Sequence, residues 1–471
     1  MDNDNKSIAG LLAEYAKSDV LPMHMPGHKR NMLGADYLSV PAASVDITEI
    51  DGFDDLGDPR GIIAESERLA ASLWGSDVVL YSVNGSTSCV LAAVTAVCRE
   101  GAPAVVARNC HKSVFHALEL SGAVPVFIAP PKTALGLPGS VTPESVRTAL
   151  EKTPDASAVI LTSPTYEGVI SDIAGIVSAA HERGVPVIVD EAHGAHLGLF
   201  GVFPEGAVRC GADVAIHSLH KTLRSLTQTA ALSVSGSLVD RDEIRRRMAM
   251  FGTSSPSYLL ISSIDGEVRS LLDGRGSSLS RWLGAVTETR KKLGALDNLT
   301  VPDLSEDPAA FAADPSKIYI DSHGVGIRGA VIAKVLRNLR VEAEAVYPYG
   351  VLAMTGEGDD QKTLRRFSDA LFEVDRKIEK REPAVPDKTV FIPERVKTAR
   401  EALAEKRVRT PLDGAEGTVC AEYIFAYPPG VPIVIPGERI ARETVLAIRE
   451  ALDSGIRVVG LEGDSVLTVE N

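Results

Sequence analysis

VPVIVDEAHGAHLGLFGVFPEGAVRCGADVAIHSLHK, residues 185–221, decides the fold. Two short apolar runs, PVIVD (186–190) and DVAIH (213–217), are separated by one connection, and each gives way to a polar cluster, EAHGAH or SLHK. Runs of this length without polar alternation read as strands buried on both faces, the habit of a parallel sheet covered by helices. In such a sheet ligands lie beyond the carboxyl ends of the strands, so Asp190 and Lys221 fall on one edge.

The same pattern extends in both directions. VVLYS (78–82), AVVAR (104–108), PVFIA (125–129), AVILT (158–162) and TAALSV (229–234) complete seven strands, with helix-like stretches between them. The expected fold class is α/β, a mostly parallel seven-stranded sheet flanked by helices, with a smaller α+β domain after it. Residues 1–50, which hold the Pro- and Gly-bearing LPMHMPGHKRN (21–31), read as an N-terminal arm. Residues 51–298 form the large domain with its linking helix, and 299–471 the small domain, marked by KIYID (317–321) and AVIAKVLRNLR (330–340).

Composition narrows the function. A chain of 471 residues, 45% hydrophobic and 24% charged, has ample material for a core. The net charge of −14, without a Lys/Arg cluster, argues against nucleic acid and is compatible with a cationic small substrate. MDNDNKSIAGLLAEYAKSDV lacks the basic flank and apolar run of a signal peptide, and no stretch has the length of a membrane span. The 5 cysteines, Cys89, Cys98, Cys110, Cys210 and Cys420, are scattered and include no CxxC pair. No metal site is expected, and the expected compartment is the cytoplasm.

The residues after each strand carry the chemistry. A lysine on a sheet edge can form a Schiff base with an aldehyde, and an aspartate beside it can keep a pyridine nitrogen protonated, the two requirements of pyridoxal 5'-phosphate. Lys221 and Asp190 are those candidates. NGSTSCVLAAVTAVC (84–98) is a glycine turn running into an apolar helix, which puts Gly85, Ser86 and Thr87 where helix amides attract phosphate. Ser218 and His220 add donors, His111 can lay its ring on the cofactor, and Ala192 is small enough to admit the other ring face. Taken singly, Asp190 reads as a helix cap, Lys221 as a solvated lysine, Ser86 and Thr87 as caps, and His193 and His196 equally well as core histidines. Their convergence from separate strand ends favours the cofactor site.

One motif points elsewhere. GVGIRG (324–329) matches the glycine pattern of dinucleotide sites and supports a nicotinamide-dependent dehydrogenase as the third reading. Asp321 at the strand's end, with Ser322 and His323, precedes the first glycine, and Glu342 arrives too early for the ribose contact expected about 20 residues on, so a structural turn is the better expectation.

DITEIDGFDDLGDPRG (46–61), VNGSTS (83–88), ARNCHKSVFHAL (107–118), SPTYEGVISDI (163–173), VDEAHGAH (189–196), HSLHKTL (217–223) and AYPPGVPIVIPGE (426–438) resemble, in order and over nearly the whole chain, the ornithine/lysine/arginine decarboxylases. The resemblance implies a pyridoxal-phosphate enzyme of fold type I, with Lys221 as Schiff-base lysine, Asp190 as ring-nitrogen partner, His111 as stacking imidazole, and Ser86, Thr87, Ser218 and His220 around the phosphate. It also implies a homodimer, because GTSSPSY (252–258), with Thr253 and Ser255, resembles the segment that reaches the neighbouring subunit's phosphate. Two departures stand out: the N-terminal wing domain of the large inducible members is not expected here, and His193 stands where those members carry Trp. The implied reaction is decarboxylation of a basic amino acid, arginine to agmatine first, lysine to cadaverine next and ornithine third. Lys221 or His220 returns the proton to Cα. Glu422, just before the PPG turn, is the expected carboxylate partner of the distal cation. Transamination or another lyase reaction is the alternative on the same scaffold.

Overall fold

The computed structural model describes residues 12, 15–31, 36–39, 42–427 and 430–470. Residues 1–11 of the expected arm, and Pro428 and Pro429 of the PPG segment, lie outside the described residues.

All seven expected strands form one sheet: β1 Val78–Ser82, β2 Pro103–Ala107, β3 Val124–Ile128, β4 Val159–Thr162, β5 Val187–Asp190, β6 Val214–His217 and β7 Ala230–Val234. Their spatial order is β1-β7-β6-β5-β4-β2-β3. Only β7 runs against the rest, pairing antiparallel with both β1 and β6. Every residue of β5, β6 and β7 is buried, which is why these strands carry no polar alternation.

Each face of the sheet has its own core. Leu80, Val105, Ile160, Ile188 and Ile216 pack into a cluster that includes Val94, Phe115, Leu150 and Ile176 from the helices Gly85–Val97, Lys112–Ser121, Pro143–Lys152 and Ile173–His181. Val79, Tyr81 and Ala231 point the other way, into a cluster with Trp74, Ile264, Trp282 and the small-domain residues Ile318, Ile332 and Phe367. Period-2 alternation within β1 thus divides one strand between two cores.

Beyond the sheet, the helices Tyr258–Asp273 and Ser277–Leu293 lead to a three-stranded antiparallel sheet of Lys317–Asp321, Gly350–Met354 and Ala345–Tyr347. The arm returns here, its strand Leu21–Met23 running parallel to Val341–Ala343. Residues 407–469 add an antiparallel ribbon, a second three-stranded sheet and the helix Arg442–Asp453 around a separate apolar cluster that includes Leu412, Ile424, Ile440 and Val466.

The glycine motif at 324–329 is a turn between a strand and the helix Gly329–Asn338. Gly326 adopts φ +62°, and a Cβ there would lie 1.9 Å from the Glu382 carbonyl oxygen, so the glycine serves backbone packing. No described helix is long and apolar enough to cross a membrane.

Candidate active site

The polar strand ends open on a cleft of about 780 Å³. Asp190 ends β5 in register beside Ile216 of β6, and the chain leaves β6 through Ser218 into a single helical turn, Leu219–Thr222, that carries Lys221. Adjacent strand ends therefore supply the carboxylate and the amine, as their sequence spacing predicts.

Lys221 Nζ lies 2.8 Å from His193 Nε2. Burial lowers the Lys221 ammonium from the ordinary 10.5 to about 8, against the attraction of Asp190 and Glu344. Burial pushes the Asp190 carboxyl above its ordinary range, against the pull of Lys221 and the Ala192 amide, which donates to Oδ1 at 3.2 Å. A cation beside Asp190 would relieve that penalty.

His111 caps the helix Lys112–Ser121, its Nδ1 accepting from the Ser113 amide at 3.3 Å, so Nε2 carries the proton. Burial, with repulsion from Lys221, lowers its pKa to about 3 and keeps the ring neutral. His220 Nδ1 faces the Thr229 carbonyl oxygen at 2.9 Å; a carbonyl only accepts, so Nδ1 holds the proton and Nε2 has the lone pair. Burial lowers that imidazole to about 4.

Ser86 and Thr87 line the cleft in the first turn of Gly85–Val97, whose N-cap, Asn84, makes no side-chain capping bond. The first-turn amides have no intrahelical partner and suit an anion. Ser218 Oγ, Asn109 Oδ1 and His193 Nδ1 are buried without a hydrogen-bond partner among the described residues. An unmet buried polar atom costs about 1–3 kcal/mol, so these atoms call for a polar occupant. A phosphate acceptor at the helix start, a protonated ring nitrogen at Asp190 and an aldehyde at Lys221 match this donor set, and the residues present fit pyridoxal phosphate.

Of the sequence-predicted residues, Gly85, Ser86, Thr87, His111, Asp190, Ala192, His193, His220 and Lys221 line the cleft, and Ser218 lies buried beside it. Thr253 and Ser255 are exposed and outside this chain's cleft, with the Thr253 amide donating to Asn84 Oδ1 at 3.1 Å. Glu422 does not line the cleft either: its Oε1 accepts from the Tyr423 amide at 2.9 Å, and the following strand, Ile424–Tyr427, reaches the cleft only at Ala426 and Tyr427.

Besides Asp190, the carboxylates that line the cleft among the described residues are Glu167 and Glu344, each held by a tyrosine from the other's segment. Tyr166 donates its hydroxyl to Glu344 Oε1, and Tyr347 donates to Glu167 Oε1 at 2.8 Å. The strand-end rule already points at SPTYEG after β4 and reaches Tyr166 and Glu167. Glu344 and Tyr347 come from the small domain, and no local pattern announces them.

Comparison with known proteins agrees with this geometry. Residues 8–308 match the model of the Orn/Lys/Arg decarboxylase major domain, and 388–455 that of the Orn/Lys/Arg decarboxylase C-terminal domain. The chain is 36% identical to the arginine decarboxylase of Bacillus subtilis, covering 97% of this chain and 95% of that protein. It is 34% identical to the arginine decarboxylase of Halalkalibacterium halodurans, over 98% and 96% respectively. Among solved structures, the constitutive lysine decarboxylase of E. coli superposes with a TM-score of 0.74 at 21% identity, covering 98% of this chain and 81% of that one. An alanine–glyoxylate aminotransferase from Nostoc sp. gives 0.59 at 16% identity over 76% of this chain and 95% of that one. The architecture is that of fold-type-I pyridoxal-phosphate enzymes.

Proposed function

The chain belongs to the Orn/Lys/Arg decarboxylase family, and from that premise we propose that it removes the α-carboxylate of a basic L-amino acid, arginine before lysine and lysine before ornithine. The observation that carries this reading is the buried Asp190–Lys221 pair at adjacent strand ends, facing an acidic cleft. Similarity to arginine decarboxylases over nearly the full length supports arginine as first substrate.

Bound in the cleft, pyridoxal phosphate supplies the electron sink for the pair left when the bond from Cα to the carboxylate breaks. Lys221 Nζ would be the point of covalent attachment, and as a free amine it would carry the proton for Cα. His193 Nε2, 2.8 Å away, fixes that amine in place. Asp190 would keep the ring nitrogen charged, His111 would offer a neutral imidazole to one ring face, and Ala192 would leave room at the other. Ser86, Thr87 and Ser218 would hold the phosphate, with His220 beside them. Glu344, oriented by Tyr166, pairs with the distal cation, because a guanidinium or ammonium taken from water requires a fixed carboxylate.

The active unit in this reading is a cytoplasmic homodimer, with the exposed Thr253–Ser255 segment of one chain completing the phosphate site of the next. Mixing Lys221→Ala chains with chains altered at Thr253 and Ser255 should then restore partial activity.

A panel of arginine, lysine and ornithine, with detection of both amine and carbon dioxide, tests the reaction itself. Agmatine and carbon dioxide in equal amounts are expected from arginine. A keto acid would establish transamination, and no amine from any of the three would overturn the assignment.

A further inference from the structure

Behind His193, on the side of the small domain, lies an ion pair that takes no direct part in the chemistry above. The side chains of Lys317 and Asp314 have no solvent exposure, and Lys317 Nζ stands 3.2 Å from Asp314 Oδ2. We infer that this pair is a positioning device: Lys317, held by Asp314, anchors the His193 carbonyl and thereby sets the His193 ring against the Lys221 amine. The inference rests on reading Lys221 as the cofactor lysine.

Lys317 begins a small-domain strand, and its Nζ donates to the His193 carbonyl oxygen at 3.3 Å. Its stem runs beside Gly168, where a Cβ would come within 2.8 Å of Lys317 Cγ, so the lysine passes beneath the SPTYEG loop on its way to the β5 loop. Asp314 is held in turn. Its Oδ1 lies 3.3 Å from His196 Nε2 and accepts from the Ser316 amide at 2.9 Å; Oδ2 accepts from Ser316 Oγ at 2.8 Å; and its own amide donates to the Gly168 carbonyl at 2.8 Å. The pair thus joins the small domain to both loops that frame the cofactor site.

His193 needs such a hold. Among the described residues its Nε2 meets Lys221, its Nδ1 has no hydrogen-bond partner, and its ring meets the edge of Tyr166, with centroids 4.9 Å apart. An imidazole without a second hydrogen bond takes its direction from the backbone, and Lys317 fixes that backbone at the carbonyl. Buried ion pairs are rarely retained for stability alone, since apolar replacements of similar volume are often neutral or better. A pair that orients a neighbouring group has a reason to persist.

The cation also has an electrostatic reach. It adds to the burial and Lys221 repulsion that hold His193 well below the ordinary imidazole range, and it opposes protonation of Lys221. The other groups facing the Lys221 amine are Asp190 and Glu344, which favour its charge, and His193, His111 and His220, which are neutral.

The test reads Lys221 directly in the cofactor-free protein. Trace labelling with acetic anhydride over a pH series, followed by peptide mass spectrometry, gives the midpoint at which the Lys221 amine becomes reactive. The parent should show a midpoint near 8. Lys317→Met combined with Asp314→Asn removes both charges without stranding one, and should raise the midpoint by roughly half a unit or more. Placing the same two changes on His193→Ala should give a smaller rise, because part of the effect passes through that ring. Lys317→Arg keeps the charge and a donor and should retain the parent midpoint. A folded double variant with the parent midpoint, or an equal rise with and without His193, overturns the inference. Should the neutral variants not fold, a Lys317→Arg midpoint displaced to that of an ordinary lysine overturns it instead. Failure to trap cofactor on Lys221 would remove the functional reading while leaving this titration interpretable, since it requires no cofactor.

Discussion

Two parts of the cleft are assembled by different means. Asp190, His193, Ser218, Lys221 and the helix start at Ser86 all hang directly from ends of one sheet, on segments a few residues long. The acidic part instead joins Tyr166 and Glu167 after β4 to Glu344 and Tyr347 of the small domain, with Tyr427 arriving from the C-terminal strand Ile424–Tyr427. In the proposed function the first part serves chemistry common to every α-amino acid, and the second is assigned to what distinguishes one substrate from another. Local pattern is enough to build the first; the second exists only when separate domains dock.

The C-terminal region docks partly through the buried pair of Arg108, just past β2, with Glu438 at 2.9 Å, supported by the Pro432 carbonyl at 2.7 Å from Arg108 Nη1. Arg108→Met strands the Glu438 carboxylate and should weaken attachment of the C-terminal region by about 3–5 kcal/mol. Limited proteolysis across a urea series should show that region released first, with the cofactor still held at the sheet edge. Simultaneous loss of both would mean that the two parts are not independent.

Asp190→Asn attacks the sheet-edge part alone. It keeps the shape and removes the charge, so turnover should fall on the order of 10²- to 10³-fold while cofactor absorbance is largely retained. Near-normal turnover would deny Asp190 its role.

Glu344→Gln attacks the acidic part. It should lower kcat/KM for the preferred basic amino acid about 10- to 100-fold with cofactor binding unchanged. Glu422→Gln, bound to its own backbone neighbour outside the cleft, should leave selectivity as it is. A smaller loss than that of Glu344→Gln belongs to the crossed tyrosines: Tyr166→Phe frees Glu344 from one hydrogen bond and should cost roughly 3- to 10-fold in kcat/KM. If Tyr166→Phe proves as damaging as Glu344→Gln, Tyr166 has a more direct part than orientation.

The same division marks what sequence could reveal. β5 and β6 are uninterrupted apolar runs ending in DEAH and HSLHK, so their burial, direction and edge residues follow from pattern and from the rule for ligand sites in open sheets. The chemistry of those residue types, and then the family resemblance, gave expectations for their roles. Glu344 carries no such signal: it sits between the short strands Val341–Ala343 and Ala345–Tyr347 and reaches the cleft only through tertiary packing. Glu422 shows the opposite failure, since adjacency to a family-like turn drew attention to a carboxylate whose strand turns toward the cleft only further on. Lys317 read simply as the first residue of a strand, because neither periodicity nor motif distinguishes a buried lysine from a solvated one.

Borohydride reduction of the cofactor-loaded protein, followed by peptide mapping, tests the central claim most directly. Lys221 and Lys132 are the lysines that line the cleft among the described residues. The pyridoxyl mass should appear on the peptide bearing Lys221 and nowhere else; its appearance on Lys132 would contradict the site, and with it the placement of Asp190 and His193 around the reacting amine.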